Sequence, residues 1–425
     1  MKTPTPIIDY TKLMTPFEAL KVTLKKWPIE RVIADYVGRM AFRYKKAQMK
    51  LEEEGIPTSP YTVRMFVKSD KETGELKPGR AINARIPERA LLMAQYTKPL
   101  EAWFYKLEDW TGSRVVGKCD MYTLASMIET KWNSFANPVA IMLDASKFDT
   151  CVPIEFLRAY AKSISRKFPH ESRTILALWK CTYVNRGVSS KGVKFKTSGT
   201  RMSGDMDTGF GNSVLMWLLL TEWIRIHEVK ASILVNGDDS VVFCERKDLP
   251  KLRNLQFFKD AGFNMKFEHT DVFSHVEFCQ ARPVETDYGL AMARNPYRAL
   301  ARFGWGTVRR KNLRDFAYTL GQCEMASSKG VPILGPLAEH LVTRFKGKLK
   351  FENSWQMETY RNRNKLVHEL KPTYSTRTRQ SYEEAWGVPI WQQLEIEGAF
   401  DAVAGHLPDM DQIIHLQEIS GVYGN

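Results

Sequence analysis

Apolar and polar positions along this chain follow two different periods, and the switches between them mark its elements. Residues 15–55 carry apolar positions at helical spacing, closing in the charge-rich stretch Lys45 to Glu54, until Gly55, Pro57 and Pro60 break the pattern. Tyr61 to Lys68 alternates as a strand does, residues 71–80 (KETGELKPGR) are punctuated as a loop by Gly74, Pro78 and Gly79, and Pro87 to Asp109 returns to a helical period. Val139 to Leu143 is a short apolar run ending on Asp144, the pattern of a buried strand. Pro153 to Phe168 predicts a helix, and Thr182 to Phe195, rich in Val, Gly and basic residues, predicts a hairpin. Ser213 to His227 predicts a strongly apolar helix after a glycine-rich loop. Ser232 to Val235 and Ser240 to Cys244 are β-branched and apolar, and Asn236-Gly237-Asp238-Asp239 lies between them. That predicts a hairpin, because Asn and Gly tolerate the positive φ of tight turns. Residues 246–270 read as helix then strand. The chain from about 286 reads as mainly helical, with loops around Pro332, Pro336, Pro372 and Pro389.

Length and charge narrow the class. A chain of 425 residues is too long for one ordinary core and predicts two or three subdomains. The formal charge of +14 favours a polyanionic partner, since each neutralised phosphate releases condensed counterions. None of the six cysteines is spaced as CxxC and nearby histidines complete no zinc pattern, so free thiols in a reducing compartment are expected. The N-terminal MKTPTPIIDYTK has no apolar signal core. The longest uncharged run, Thr208 to Thr221, has 14 residues and falls short of a bilayer. Membrane attachment is therefore expected to come from a partner or from sequence outside this chain.

Two carboxylate clusters carry the chemistry. Asp144-Ala-Ser-Lys-Phe-Asp149 ends an apolar strand, and Gly237-Asp238-Asp239 sits at a hairpin tip. Nucleotidyl transfer needs paired divalent ions, one activating the attacking 3′-hydroxyl and one neutralising the triphosphate. Magnesium takes few carboxylates and completes its shell with phosphates and water. Asp144 and Asp238, with Asp239 assisting, are the expected ligands of two Mg²⁺ ions, with Mn²⁺ as the alternative metal. Taken alone, a Gly-Asp-Asp is a solvated turn and Asp149 a helix cap; the flanking strands and the second cluster favour the metal site. Between the clusters runs Thr197-Ser-Gly-Thr-Arg-Met-Ser-Gly-Asp-Met-Asp-Thr-Gly-Phe-Gly-Asn212, whose glycines allow close approach to a nucleic-acid backbone and whose Asn212 is expected at the helix start. The basic stretch Arg64, Lys68, Lys71, Lys77, Arg80, Arg85 and Arg89 supplies cations for a triphosphate, or forms a solvated charged face.

These stretches together resemble the motifs of viral RNA-dependent RNA polymerases, most closely those of tombusvirus-like viruses. Asp144 and Asp149 look like motif A, Ser198 to Asn212 like motif B, and Gly237-Asp238-Asp239 like motif C. Lys266 looks like the motif D lysine, Val276-Glu277-Phe278-Cys279-Gln280 with Pro283-Val284 resembles motif E, and Phe66-Val67-Lys68 with Arg80 to Arg85 looks like motif F. Arg379 to Gly387 resembles a thumb segment of the same group. The resemblance implies an α+β right hand of fingers, palm and thumb, with an antiparallel palm sheet carrying the active site. Fingers are expected at 1–137 and 153–197, palm at 138–152 and 198–285, and thumb at 286–425.

It also implies roles. Asp144, Asp238 and Asp239 would hold the metals. Lys68, Arg80 and Arg85 would guide the triphosphate, and Lys266 would protonate the leaving pyrophosphate. Asp149 and Asn212, with Ser203 or Thr208, would bind the ribose 2′-hydroxyl, the group that separates RNA from DNA substrates. Partners would be template and nascent RNA, ribonucleoside triphosphates and a separate membrane-anchoring replication protein. Primer-independent initiation is expected, in the host cytoplasm at membrane-associated replication complexes. A reverse transcriptase and a catalytically silent RNA-binding subunit are the rival readings. The Asp149 and Asn212 pair weighs against the first, the intact aspartates against the second.

Overall fold

The structure, a computed structural model, describes residues 6–58, 62–68, 80–303, 312–351, 354–361, 371 and 373–402. Lys71, Lys77 and the loop expected around them lie outside the described residues, as do Pro60, Tyr61 and Pro372. The fold mixes helices with antiparallel sheets and divides into two compact units. Among the described residues, the first holds 6–58, 62–68, 80–117 and 130–271, and the second holds 118–129 and those beyond 271.

The first unit contains two four-stranded sheets. One runs β6 (Ala231–Asn236), β7 (Asp239–Glu245), β3 (Pro138–Ala145), β8 (Met265–Thr270), antiparallel throughout. β3 is central and apolar, with Val139, Ala140, Ile141 and Leu143 buried, which fits a strand flanked on both edges. The other sheet runs β2 (Ala81–Arg85), β1 (Val63–Val67), β4 (Val184–Ser189), β5 (Lys194–Ser198). Its β1–β4 pair is parallel, and β4–β5 is the expected hairpin. Gly187 in β4 is required by packing, since a Cβ there would sit 2.1 Å from the Phe195 ring of β5.

The helix Thr208–Ile226 starts five residues before the expected Ser213 and takes in Gly209, Gly211 and Asn212. Gly211 serves close packing: a Cβ there would lie 2.4 Å from the Arg201 guanidinium. Val214 to Leu220 and Trp223 are buried in a core shared with β3, β6 and β7. The stretch expected as helical over 15–55 is three pieces, Thr15–Ala19, Ile29–Ala34 and Gly38–Glu54. Pro28 precedes the second, and Gly38 opens the third at φ +57°. Pro87–Phe104 is one helix despite Pro99 inside it.

The second unit is mainly helical around its own core of Val284, Leu300, Leu334, Leu341, Tyr382 and Ile396. It also holds a hairpin absent from the sequence reading, β9 (Ala281–Thr286) and β10 (Gly289–Arg294). Among the described residues, no helix is long and apolar enough to cross a membrane. All six cysteines are unbridged.

Buried ion pairs hold the segment before the long helix. Arg201 reaches Asp207 at 3.0 Å, both fully buried, and Trp179 Nε1 donates to the same carboxylate at 2.9 Å. Removing one partner of such a pair strands the other charge in low dielectric. Asp207→Asn should therefore cost about 3–5 kcal/mol of stability, read as a lowered thermal midpoint; an unchanged midpoint would show that the pair does not support the fold.

Candidate active site

Strand register brings the two carboxylate clusters to one end of the β6-β7-β3-β8 sheet. Leu143 pairs with Ser240, so one step further Asp144 is level with Asp239 across the β3–β7 pair. On the other side Asp144 pairs with Lys266 of β8, with Nζ 3.8 Å from the carboxylate. Both side chains are more than two-thirds exposed, so the attraction is heavily screened. Asn236 closes the β6–β7 ladder against Asp239, leaving Gly237 and Asp238 as a two-residue turn. Gly237 alone of the two takes a positive φ, +68°, the sign pattern of a Gly-first hairpin turn.

Asp238 lies at the exposed tip of that turn. Its carboxyl is held above the ordinary aspartate value by partial desolvation, with its own backbone hydrogen bond pulling down, then by the charges of Asp149 and Asp144. Arg80 lowers it. Asp144 and Asp149 are thus within electrostatic reach of Asp238. Among the described residues no three His, Cys, Asp or Glu side chains already converge as a metal cage. A Mg²⁺ site takes one or two carboxylates and completes its shell with substrate and water. Mutually repelling aspartate oxygens are the hard donors such an ion needs, so Asp144 and Asp238 fit it, with Asp239 beside them.

Asp149 lies in the short helix Phe148–Cys151 and accepts from Asn212 Nδ2 at 2.7 Å. Asn212 is 4% exposed, in the second turn of its helix rather than at the expected start, and its Oδ1 has no hydrogen-bond partner. The two expected ribose residues are therefore joined, with an acceptor left over. Thr208 Oγ1 donates to Met202 O at 2.8 Å, and Ser203 Oγ accepts from Asn83 N at 3.2 Å. Both hydroxyls brace the segment between Thr200 and the helix, and neither bond involves Asp149.

The basic residues divide. Lys68 N donates to Arg80 O at 2.8 Å, so the two lie together at the open end of β1 and β2. Arg85 does not join them. It is 2% exposed and makes a forked pair with Asp205 at 2.8 and 3.0 Å, with further bonds to Asn185 and Thr62. Every guanidinium nitrogen is engaged inside the protein, so Arg85 is a structural residue here and not a contact for triphosphate. Arg89 is similarly turned inward, onto Pro57 O.

Sequence reasoning missed Ser213. Its Oγ donates to Gly209 O and accepts from Gly237 N, both at 2.8 Å, tying the long helix to the turn that carries Asp238. The available signal was a lone Ser one residue after Asn212 in an otherwise apolar run. Asp205 and Asp207 were quoted only as part of a motif; their spacing around Arg201 and Arg85 is that of two internal ion pairs.

With this geometry in view, comparison with known proteins is informative. Residues 11–407 match the family described as viral RNA dependent RNA polymerase. The chain belongs to that family. Among its relatives, the RNA-directed RNA polymerase of Groundnut rosette virus (strain MC1) is 31% identical over 401 residues, 89% of this chain and 46% of the relative. The RNA-directed RNA polymerase of Tobacco necrosis virus (strain A) is 28% identical over 406 residues, 91% of this chain and 55% of the relative. That of Red clover necrotic mosaic virus is 30% identical over 406 residues, covering 90% and 52%. The chain thus spans about half the length of these relatives. Enzymes of the family use divalent metal ions.

The Ser213 tether yields a prediction. Ser213→Ala should leave the fold intact to within about 1–3 kcal/mol. By loosening the Gly237 turn it should speed amide hydrogen exchange at Gly237 roughly tenfold or more. Hydrogen exchange beside a thermal melt checks this; an unaltered exchange rate would mean the tether does not hold the turn that carries Asp238.

Proposed function

We propose that this chain synthesises RNA on an RNA template from ribonucleoside triphosphates, as a viral replicase. One observation carries the reading: strand register sets Asp144 level with Asp239, beside the turn that bears Asp238, while Asn212 holds Asp149. In this reading the β6-β7-β3-β8 sheet is the palm floor, within 138–152 and 198–285. Residues 1–137 and 153–197 are fingers, and the chain after 286 is thumb.

Asp144 and Asp238 would hold two Mg²⁺ ions, with Asp239 beside them. The ions would supply charge neutralisation at the triphosphate and activation of the attacking 3′-hydroxyl. The chain's own residues position the reactants. Arg80, near enough to act on Asp238, and Lys68 beside it attract the triphosphate. Asp149 accepts the hydrogen of the ribose 2′-hydroxyl, and Asn212 fixes the carboxylate's orientation while its idle Oδ1 offers a second acceptor. Lys266, 3.8 Å from Asp144, would protonate the departing pyrophosphate. Catalysis is then orientation plus charge compensation, as for phosphoryl transfer generally. Initiation without a primer, a separate membrane-anchoring partner, and a place at cytoplasmic membrane-associated complexes complete the proposal.

Primer-free synthesis on a defined single-stranded RNA with Mg²⁺ tests it. The wild-type chain should yield template-length product, and Asp238→Asn should yield none while still binding RNA. Near-normal product from that variant would remove the metal assignment. Asn212→Ala should weaken the preference for ribo- over deoxynucleotides by roughly tenfold. Unchanged discrimination would remove the 2′-hydroxyl role and favour a polymerase indifferent to sugar.

A further inference from the structure

The β2-β1-β4-β5 sheet has two chemically opposite faces. Side chains alternate along a strand, and residues paired across strands share a face. The register Arg64↔Ala84, Arg64↔Val188, Val188↔Lys194 and Arg186↔Lys196 puts the even-numbered residues together. The odd-numbered face is the packed one, with Val63, Arg85, Asn185 and Gly187 buried, and its one arginine is neutralised by Asp205.

The even-numbered face is open. Arg64, Arg186, Lys194 and Lys196 are all exposed, and the four strands contain no Asp or Glu. Phe66 is 47% exposed and Val184 39% exposed on the same face. Arg186 and Lys196 are direct cross-strand partners, and like charges placed so are destabilising. Lys194 and Lys196 are two residues apart on one strand, about 7 Å along it, comparable to the spacing of successive phosphates on an extended strand.

We infer that this face is a binding surface for single-stranded RNA outside the catalytic centre. The cations would track the phosphates, and Phe66 would stack on a base, the pairing of features that sequence-tolerant single-strand binding uses. The inference rests on the proposed RNA synthesis only in naming the strand as template. Charge complementarity selects the occupant: among the described residues, the four strands give the face four cations and an accessible aromatic ring and contribute no acid. A bound polyanion relieves the Arg186–Lys196 repulsion that the free protein carries.

The test uses the full chain with Arg186→Ala/Lys196→Ala and, separately, Phe66→Ala. Binding to a labelled single-stranded RNA is measured by anisotropy across a salt series, beside thermal melting and nucleotide addition at saturating RNA. The double variant should bind more weakly, and its slope of log affinity against log salt should be shallower by roughly 1.4, about 0.7 for each lost phosphate contact. Its melting midpoint should be equal to or above that of wild type, because a repulsive pair has been removed. Phe66→Ala should weaken binding about fivefold or more. Unchanged affinity and slope in the double variant overturn the inference, as does a lowered midpoint, which would make the charges structural. Wild-type binding of phosphatidylserine vesicles lost in the double variant, with RNA binding intact, overturns it in favour of a membrane surface. Loss of RNA binding in a variant whose wild type adds no nucleotides leaves this face standing and sinks the polymerase proposal. Full nucleotide addition with unaltered RNA binding does the reverse.

Discussion

A strand register that gathers carboxylates at one end of a sheet is the constraint around which the first unit is organised. Asp144 is the last residue but one of the central strand, Asp238 sits on the turn between two neighbouring strands, and Asp149 lies in the short helix that follows the central strand. Partial desolvation and then the charges of Asp149 and Asp144 hold the Asp238 carboxyl above its ordinary value. Such an arrangement persists only where the backbone leaves no way to relax. Here β3 is clamped on both sides by ladders, Gly237 is bonded to Ser213 of the long helix, and Asp149 is bonded to Asn212 of the same helix. One helix therefore fixes two of the three acids.

That helix is itself fixed by charge buried at its N-terminal side. Arg201 closes on Asp207 within one seven-residue stretch, and Arg85 reaches Asp205 of the same stretch from β2. Such pairs add little net stability over well-packed apolar groups, but breaking them is costly. Their effect here is to specify one path for the chain between β5 and the helix, with Gly204 packed against Ala84 of β2 and Gly211 against Arg201. Desolvation pushes the Asp205 carboxyl up to about 6 even against Arg85, a measure of how dry the segment is.

Much of this was legible in the sequence because the site is built from short, strongly patterned strands. Val139 to Asp144 and the two runs around Gly237-Asp238 have lengths and compositions that admit few other structures. What misled was strand position and glycine. Arg80 and Arg85 look alike in a basic stretch, yet Arg80 precedes β2 while Arg85 ends it and turns into the packed face of its sheet, where Asp205 consumes it. Glycines 209 and 211 suggested a loop, while the structure uses both inside a helix, where a larger residue at Gly211 would meet a guanidinium. The β9–β10 hairpin went unread because its turn, Asp287-Tyr288, carries its Gly one position late, at Gly289 with φ +112°.

The account stands on Asp144 and Asp238 sharing cations, and direct titration of Mn²⁺ in the presence of a ribonucleoside triphosphate, followed by electron paramagnetic resonance, examines that most closely. The chain should take up nucleotide-dependent Mn²⁺, Asp144→Asn and Asp238→Asn should each abolish most of that uptake, and the double variant should lose little more than either alone. Undiminished uptake in both single variants, or losses that simply add, would mean the two aspartates do not serve one metal site.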